Sequence, residues 1–176
     1  MINPPSKYKI EALDPATHVR AAFDCGVDPL NRYLQEQARL DIKRLAAGCW
    51  VLVDADQPKV ILGYYTLSPE SVVSSELLGN MPPEAAKKFP RYPRLGAYLI
   101  GRLAVHKAHQ GQKIGRRLLL DALHRCALNP VPCVVVLVDP KDSAAEAFYA
   151  RYGFKRLNDE RMFLPTAEIT AWLSSD

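Results

Sequence analysis

The sequence lacks the long apolar runs and paired cysteines that are typical of membrane proteins and zinc sites. No apolar run approaches the roughly 20 residues of a membrane-spanning helix, and the N-terminus has no signal-peptide core. We therefore expect a cytoplasmic protein that does not use a membrane. The cysteines form no C-x-x-C pair, and each lies among apolar neighbours, which predicts reduced core thiols at Cys25, Cys49, Cys126 and Cys133.

Internal repeats, low-complexity segments and a metal-binding pattern are also missing from the sequence. His106 and His109 lie three residues apart, but they have no acidic or thiol partner nearby in the sequence, so no metal site is expected. The length of 176 residues fits a single domain, residues 1–176, with one core. A hydrophobic fraction of 48% with 24% charged residues is ordinary for a globular protein.

A large excess of one charge is absent, but the basic residues are clustered. The formal net charge is only +4. Two interpretations remain open on charge alone: a solvated surface that partly meets the phosphates of a cofactor, or a surface for a larger polyanionic substrate. The clusters are Lys87, Lys88, Arg91 and Arg94 in a proline-rich segment, Lys113, Arg116 and Arg117 in mid-chain, and Arg151, Lys155 and Arg156 near the end.

The sequence does contain alternating strand and helix patterns, which predict one α/β unit with a mixed sheet. A helix is predicted from Asp28 as N-cap, with Pro29 at its first position, and another from a capping box at Ser143–Glu146. Five prolines make residues 68–94 irregular, apart from a short helix around 83–88. The other predictions are a helix after Gly115, a helix over 166–173, and strands at 7–13, 48–53, 60–67, 103–105, 134–138, 154–157 and 161–164.

The most informative stretch is Gly101–Leu119. A short strand leads through a polar turn to Gly111 and Gly115, and an amphipathic helix follows. Two glycines at a strand-to-helix turn let backbone N–H groups converge on one point, where the helix N-terminus adds a partial positive charge. The stretch therefore predicts a phosphate-binding turn. It is neither a nucleotide P-loop, because no Gly-Lys-Ser/Thr follows, nor the dinucleotide motif G-x-G-x-x-G.

The segment Gln110–Gly115 resembles the pyrophosphate-binding signature Q/R-x-x-G-x-G/A of the GNAT family of N-acetyltransferases, with Lys113 in place of one glycine. A second segment, Ala147–Phe154, resembles the family signature A-x-x-F-Y-x-x-x-G-F. The resemblance covers nearly the whole chain. It implies the GNAT fold, an α/β (α+β) domain with a mixed, mostly antiparallel central sheet, splayed central strands and helices on both faces.

The resemblance also implies acetyl-CoA as cosubstrate. In the family, the turn closes over the pyrophosphate and the preceding strand pairs with the pantetheine arm. A side chain at Lys113 is expected to need negative φ, so a glycine-dependent conformation would be lost; binding should survive, and weak catalysis stays an alternative. The implied coenzyme-binding residues are Leu103, Ala104, Val105, Gln110, Gly111, Gln112, Lys113, Ile114, Gly115, Arg116 and Phe148.

Three further segments resemble one branch of the family, the acetyltransferase toxins of bacterial type II toxin–antitoxin pairs. They are Phe23–Leu34, Gly63–Ser68 and Gly101–Val105. This resemblance implies acetylation of the α-amino group of aminoacyl-tRNA, which blocks translation, with a small ribbon-helix-helix antitoxin as partner and a homodimeric state. The candidates for tRNA binding are Lys87, Lys88, Arg91 and Arg94.

Tyr149 matches the position of the catalytic tyrosine in these toxins. A phenol with a reference pKa of about 10 stays protonated at neutral pH, whereas a thiol near 8.5 leaves as a thiolate that needs a proton. Tyr149 is therefore the candidate general acid. Its other possible role is aromatic packing with a hydrogen bond to the coenzyme sulfur, and Tyr152 is a nearby tyrosine without an assigned role.

The amine acceptor places fewer demands on the protein if it is an α-amino group. Its pKa is about 7.7–8.0, against about 10.4 for lysine, so no strong base is required, and no Glu or Asp stands out beside the central strand. Two alternatives remain. One is an acetyltransferase of a small amine or a protein N-terminus. The other is a non-enzymatic acyl-CoA-binding or DNA-regulatory module that uses the helix Pro29–Arg44 for a partner.

Overall fold

The structure is a computed structural model that describes residues 7–174. These residues form a seven-stranded sheet in the order β1-β2-β3-β4-β5-β7-β6. The strands are β1 (Tyr8–Ala12), β2 (Gly48–Asp54), β3 (Gln57–Val73), β4 (Arg94–Val105), β5 (Val135–Val138), β6 (Lys155–Arg156) and β7 (Met162–Pro165). The helices are α1 (Asp28–Arg32), α2 (Ala38–Lys43), α3 (Ser74–Gly79), α4 (Pro83–Ala86), α5 (Ile114–Ala127), α6 (Ser143–Ala150) and α7 (Thr166–Leu173).

The sheet is mixed and mostly antiparallel, which confirms the predicted fold class. Strand β2 pairs antiparallel with β1 and β3, and β7 pairs antiparallel with β5 and β6. The central pair β4–β5 is parallel, and its register runs from Ala97↔Val135 to Ile100↔Val138. Strand β4 continues beyond this ladder to Val105, whereas β5 ends at Val138. The two central strands therefore share only part of the length of β4.

The chain divides into two compact units, one from Met1–Leu67 with Arg102–Ala122 and one from Ser68–Gly101 with Leu123–Asp176. Each unit has its own cluster of buried side chains. In the first unit the cluster includes Phe23, Leu34, Val51, Tyr64 and Ala104. In the second unit it includes Val72, Leu77, Ala97, Leu137 and Phe163.

The prediction of irregular structure over residues 68–94 is wrong for its first half. Strand β3 continues to Val73, and helix α3 follows directly. The β2–β3 register ends at Gly48↔Leu67, so Pro69 lies beyond the β2 ladder, where a missing N–H group breaks none of its hydrogen bonds. The short helix α4 confirms the predicted helix at 83–88.

Two predicted helix starts are displaced by one residue. Val27 rather than Asp28 precedes the first helix, and it makes no side-chain cap. Asp142 rather than Ser143 caps α6, because its carboxylate accepts a hydrogen bond from the Ala145 N–H at 2.8 Å. The capping box is also wrong because Glu146 forms an ion pair with Arg156.

The predicted helix over residues 29–44 is interrupted by a π-helical turn at Tyr33–Gln37, between α1 and α2. Helix α5 follows the predicted pattern, with its inward residues buried. No helix within residues 7–174 is long and apolar enough to cross a membrane. Residues 1–6, on which the expectation about a signal peptide partly rests, lie outside the described residues.

The cysteines of the described chain are free thiols, and the predicted core position is confirmed for three of them and wrong for Cys133. Cys25, Cys49 and Cys126 are buried, and Cys133 is half-buried. Burial raises the pKa of the Cys49 thiol to about 12 and that of the Cys126 thiol to about 12. These thiols therefore stay protonated at neutral pH.

Candidate functional site

The predicted phosphate-binding turn lies in the first unit, directly before α5. Two of its residues have left-handed backbone conformations, Gly111 with φ of 79° and Lys113 with φ of 62°. Gly111, Gln112 and Lys113 are all exposed, and α5 begins at Ile114. The turn is thus an exposed, sharply bent backbone segment at the N-terminus of a 14-residue helix.

The expectation that Lys113 must take negative φ is wrong. Its φ of 62° lies in the left-handed region that the family glycine allows, so the lysine retains that backbone conformation instead of replacing it. A left-handed conformation costs a residue with a Cβ atom about 1–2 kcal/mol. The turn therefore keeps its shape at Lys113 at the expense of local strain.

Three groups on the polar turn hold its backbone in place. The Gln110 side-chain amide donates hydrogen bonds to the Cys25 carbonyl at 3.1 Å and to the Val105 carbonyl at 3.2 Å. The Lys107 ammonium lies 2.6 Å from the Asp24 carboxylate, and its hydrogen bond holds the pKa of that carboxyl well below its usual range. The His106 ring accepts a hydrogen bond from the Ala108 N–H at 3.1 Å.

The helix N-terminus is built to attract an anion. The first N–H groups of α5 have no partner within the helix, and they carry the positive end of the helix dipole. The first turn contains no acidic side chain, and Arg116 and Arg117 are exposed there. The backbone N–H groups from Gln112 to Arg116 can therefore hold a diphosphate, as the residues present fit such a group.

The strand that leads to this turn carries a basic side chain, Arg102, for which the sequence predicts no role. Arg102 is half-buried, and its guanidinium carbon lies 3.6 Å from the centre of the Tyr33 ring. Leu103, Ala104 and Val105 follow it, and Ala104 is fully within the core cluster of the first unit. No local sequence pattern indicates such a stacking contact, because the two residues lie on separate elements.

Tyr149 lies in the second unit, on α6, and is 8% exposed. Its ring makes edge contacts with Phe148 at 5.2 Å and Phe154 at 5.4 Å between centres. Burial, with a smaller effect from the negative charge of Asp139, raises the pKa of the Tyr149 phenol above its ordinary value of 10. Within residues 7–174 no donor or acceptor hydrogen-bonds its hydroxyl. The hydroxyl is therefore a protonated donor without a partner in the described chain.

Two carboxylates of the second unit, Asp139 and Glu70, were not predicted from the sequence. Asp139 follows β5 directly, and its two oxygens accept hydrogen bonds from Arg161 at 2.6 and 2.9 Å. A second oxygen-bearing group, Glu70, lies 3.7 Å from the same guanidinium. These residues line a polar pocket of about 340 Å³ in the second unit. Since the three residues are far apart in sequence, no spacing could have revealed them.

The predicted tRNA-binding residues also lie in the second unit. Lys87, Lys88 and Arg91 are exposed, and Lys87 pairs with Glu84 at 2.7 Å. Arg94 differs from them, because its guanidinium donates two hydrogen bonds to the Ser71 hydroxyl at 2.7 and 2.9 Å. Between them Tyr92 is 69% exposed, an aromatic ring on which a nucleic-acid base can stack.

The predicted coenzyme-binding residues 103–105 and 110–116 thus lie in the first unit. Phe148, Tyr149 and the predicted tRNA-binding residues within 87–94 lie in the second unit. Tyr152 is half-buried, and its ring contacts Phe148 at 5.3 Å between centres. Among the described residues, no group of three or more His, Cys, Asp and Glu side chains could hold a metal ion.

Comparison with known proteins gives a family match and several relatives. The family model described as an acetyltransferase (GNAT) domain matches residues 46–156. A "Probable toxin TacT" of Sinorhizobium fredii is 31% identical over 175 residues, which cover 93% of this chain and 94% of the relative. A "tRNA-acetylating toxin" of Mycobacterium tuberculosis is 27% identical over 136 residues, which cover 76% of each chain.

Solved structures extend the likeness to the fold. A mutant of KacT superposes with a TM-score of 0.83 at 29% identity, over 95% of this chain and 99% of that one. AtaT complexed with acetyl-methionyl-tRNAfMet gives a TM-score of 0.83 at 25% identity, over 94% and 99%. AtaTR bound with AcCoA gives a TM-score of 0.78 at 25% identity, over 95% and 98%.

Proposed function

The chain belongs to the family of acetyltransferase (GNAT) domains, and from this premise we propose that it transfers the acetyl group of acetyl-CoA to the α-amino group of an aminoacyl-tRNA. The observation that carries the proposal is the likeness to a toxin relative over 93% of the chain, at 31% identity. The AtaT structure with acetyl-methionyl-tRNAfMet supports the choice of acceptor.

The turn before α5 supplies the coenzyme-binding group of this proposal. Acetyl-CoA, when bound, brings an activated thioester. The backbone N–H groups between Gln112 and Arg116 hold its diphosphate, and the Gln110 side chain keeps the turn in shape through the Cys25 and Val105 carbonyls. The backbone of Leu103 and Val105, on β4, pairs with the pantetheine arm.

Tyr149 supplies the proton donor for the departing sulfur. Because burial and the Asp139 charge raise the pKa of its phenol, the hydroxyl remains protonated throughout the neutral range. It donates a hydrogen bond to sulfur, which stabilises negative charge there as the carbon–sulfur bond breaks. The phenol thus acts as a hydrogen-bond donor or general acid, and Phe148 and Phe154 hold its ring.

The acceptor chemistry does not require a strong base. An α-amino group with a pKa of about 7.7–8.0 is partly neutral at pH 7, and loss of its proton to water is sufficient. The exposed Lys87, Lys88, Arg91 and Tyr92 provide charge and an aromatic ring for the RNA. The proposal includes a ribbon-helix-helix antitoxin and a homodimeric state, which the resemblance to toxin–antitoxin acetyltransferases implies, and the two relatives described above are named toxins.

A direct assay tests this function. The purified protein is incubated with acetyl-CoA and aminoacylated total tRNA, nuclease releases the aminoacyl-adenosines, and mass spectrometry detects their acetylated forms. We expect acetylated aminoacyl-adenosine with the native chain and a loss of about 10²- to 10⁴-fold in rate with Tyr149→Phe, the usual size of general-acid catalysis. Tyr152→Phe, on the same aromatic cluster, is the matched control and keeps its rate.

Two results would contradict the proposal. Acetylation of small amines or peptide N-termini, with aminoacyl-tRNA left unmodified, would identify the alternative acceptor class. Tight binding of acetyl-CoA without transfer to any amine would identify a binding module.

A further inference from the structure

Arg102 sits at the end of a stack of aromatic rings in the first unit. Its guanidinium lies over the Tyr33 ring at 3.6 Å, and the Tyr33 ring stacks on the Tyr64 ring at 6.3 Å with an interplanar angle of 15°. Both tyrosines are buried. The Tyr33 hydroxyl donates to Asp41 at 2.9 Å, and the Tyr64 hydroxyl donates to the Leu30 carbonyl at 2.8 Å. A hydrogen bond from its hydroxyl therefore holds each ring in position.

The guanidinium has no hydrogen-bond acceptor in the described chain. Within residues 7–174 it makes no hydrogen bond and no ion pair. The Asp41 carboxylate contacts the stack through the Tyr33 hydroxyl, and its two oxygens already accept hydrogen bonds from Tyr33 and Gln37. A guanidinium carries five N–H donors, and those of Arg102 reach solvent, because no buried side-chain nitrogen of the described residues lacks a hydrogen-bond partner. An arginine that is held on an aromatic ring and has free N–H donors is suited to binding an anion.

The local structure around Arg102 also favours a ligand site over a packing role. Tyr33 opens the π-helical turn at Tyr33–Gln37, and such turns inside helices are frequent at functional sites. Arg102 directly precedes Leu103–Val105, the strand residues assigned above to the pantetheine arm. Arg102 is therefore a neighbour in the chain of the residues proposed to hold the coenzyme.

We propose that Arg102, held on the Tyr33 ring, binds a phosphate group of a substrate, and that this phosphate belongs to the 3′-terminal part of the acceptor RNA. This inference rests on the proposed function. A planar guanidinium matches phosphate oxygens in a bidentate manner, which explains arginine at this position. The coenzyme diphosphate has the amides of the Gln112–Arg116 turn, so the RNA is the favoured source of the phosphate.

Binding measurements on the full chain test the inference without relying on turnover. Fluorescence anisotropy with labelled aminoacyl-tRNA and calorimetry with acetyl-CoA are performed on the native chain, Arg102→Gln and Arg102→Lys. For Arg102→Gln we expect RNA affinity to fall about tenfold to a hundredfold, as for a hydrogen bond to a charged group. The slope of log K against log salt concentration becomes shallower by about one, and acetyl-CoA affinity changes less than twofold. Arg102→Lys keeps the salt slope but loses part of the affinity, because the ammonium lacks the planar fork.

The platform is tested by a matched pair at Tyr33. Tyr33→Phe removes the hydroxyl bonded to Asp41 and keeps the ring, so RNA affinity should be retained. Tyr33→Leu removes the ring and should lower RNA affinity as Arg102→Gln does, with no further loss when the two changes are combined. Thermal unfolding of each variant checks that it is folded, and the salt slope separates a lost phosphate contact from general destabilisation.

The outcomes separate the possible sources of phosphate. If Arg102→Gln lowered the affinity for acetyl-CoA and left the affinity for RNA unchanged, Arg102 would bind a phosphate of the coenzyme, and the assignment to RNA would be wrong. Unchanged affinity and salt slope for both ligands would overturn the inference entirely. If the native chain acetylates no aminoacyl-tRNA, the proposed function fails separately, and the two binding measurements still decide the role of Arg102.

Discussion

At the scale of single residues, two side chains other than glycine have a left-handed backbone conformation, Leu45 and Lys113, among those that the structure describes. Lys113 is the more informative, since it replaces a glycine of the family signature and keeps the glycine-like φ. Substitution by lysine therefore changes the charge of the turn and leaves its backbone geometry in place. The lysine adds local backbone strain, and its backbone N–H group remains available to a ligand.

Changing Lys113→Gly separates strain from charge. Glycine removes the steric cost of the left-handed conformation, so we expect the free energy of unfolding to rise by as much as about 1 kcal/mol, reduced by the entropy that glycine adds to the unfolded chain. Acetyl-CoA affinity should change by less than tenfold, because the backbone amides remain. Urea unfolding and calorimetry measure the two quantities.

Lys113→Ala is the control for this prediction, because it removes the ammonium but keeps the strain. It should show the same change in acetyl-CoA affinity as glycine and no gain in stability. If Lys113→Ala lost acetyl-CoA binding and Lys113→Gly did not, the contradiction would show that binding depends on the left-handed backbone conformation more than on the ammonium.

The sequence predicts candidate site residues that belong to contiguous signatures, and it gives no indication of contacts that form only on folding. Gly111, Gln110 and Tyr149 are recognisable because each signature spans fewer than a dozen positions. The Arg102–Tyr33 stack and the Asp139–Arg161 pair join elements that are far apart in the chain. Only the packed structure brings such groups into contact, so no periodicity or spacing could predict them.

At the scale of elements, the strongly periodic segments were predicted well and the helix ends were not. Helix α5 and the hairpin β2–β3 follow their apolar patterns, because one face of each is buried. The π-helical turn between α1 and α2 has no sequence signal, since it inserts one residue into an otherwise regular apolar stripe. The end of α2 departs from the usual pattern in a way that can be tested.

Helix α2 ends with Leu45 in a left-handed conformation, at the position after its C-cap Arg44 where glycine is most common. Leu45 has φ of 59° and is 92% exposed, so its side chain contributes little packing. We expect Leu45→Gly to raise the free energy of unfolding by roughly 1 kcal/mol through relief of strain. Urea or thermal unfolding measures the change.

Leu45→Ala is the matched comparison, because alanine also has a Cβ atom and should give no gain. Equal stability of the glycine and alanine variants would indicate that the helix end adjusts its backbone when the leucine is removed. Neither change should alter acetyl-CoA binding, since Leu45 has no part in the proposed site.

At the scale of the whole molecule, the mixed sheet and the family were predicted correctly from two signatures and the order of strand and helix patterns. The prediction of a single domain stays a prediction, because the chain divides into two compact units. Strands β3 and β4 and helix α5 each contain residues of both units. Such shared elements favour cooperative unfolding.

The buried thiols allow this cooperativity to be measured. Cys49 lies in the first unit and Cys126 in the second, and burial raises the pKa of each to about 12, so neither is reactive until its surroundings open. We expect alkylation of both thiols to rise over the same range of urea concentration. Peptide mapping by mass spectrometry gives the extent of labelling at each cysteine.

Cys133, which is half-buried, serves as the internal standard because it should react before the transition. Labelling of Cys49 and Cys126 at clearly different urea concentrations would contradict a single cooperative domain. It would then identify which unit opens first.

The brace that Gln110 provides has a thermodynamic consequence for ligand capture. Its amide already joins the turn to the Cys25 and Val105 carbonyls, and the bends at Gly111 and Lys113 are already formed. The turn therefore loses little conformational entropy when a diphosphate binds to it. A larger part of the interaction energy between the diphosphate and the amides then appears as binding affinity, because the binding site is preorganised.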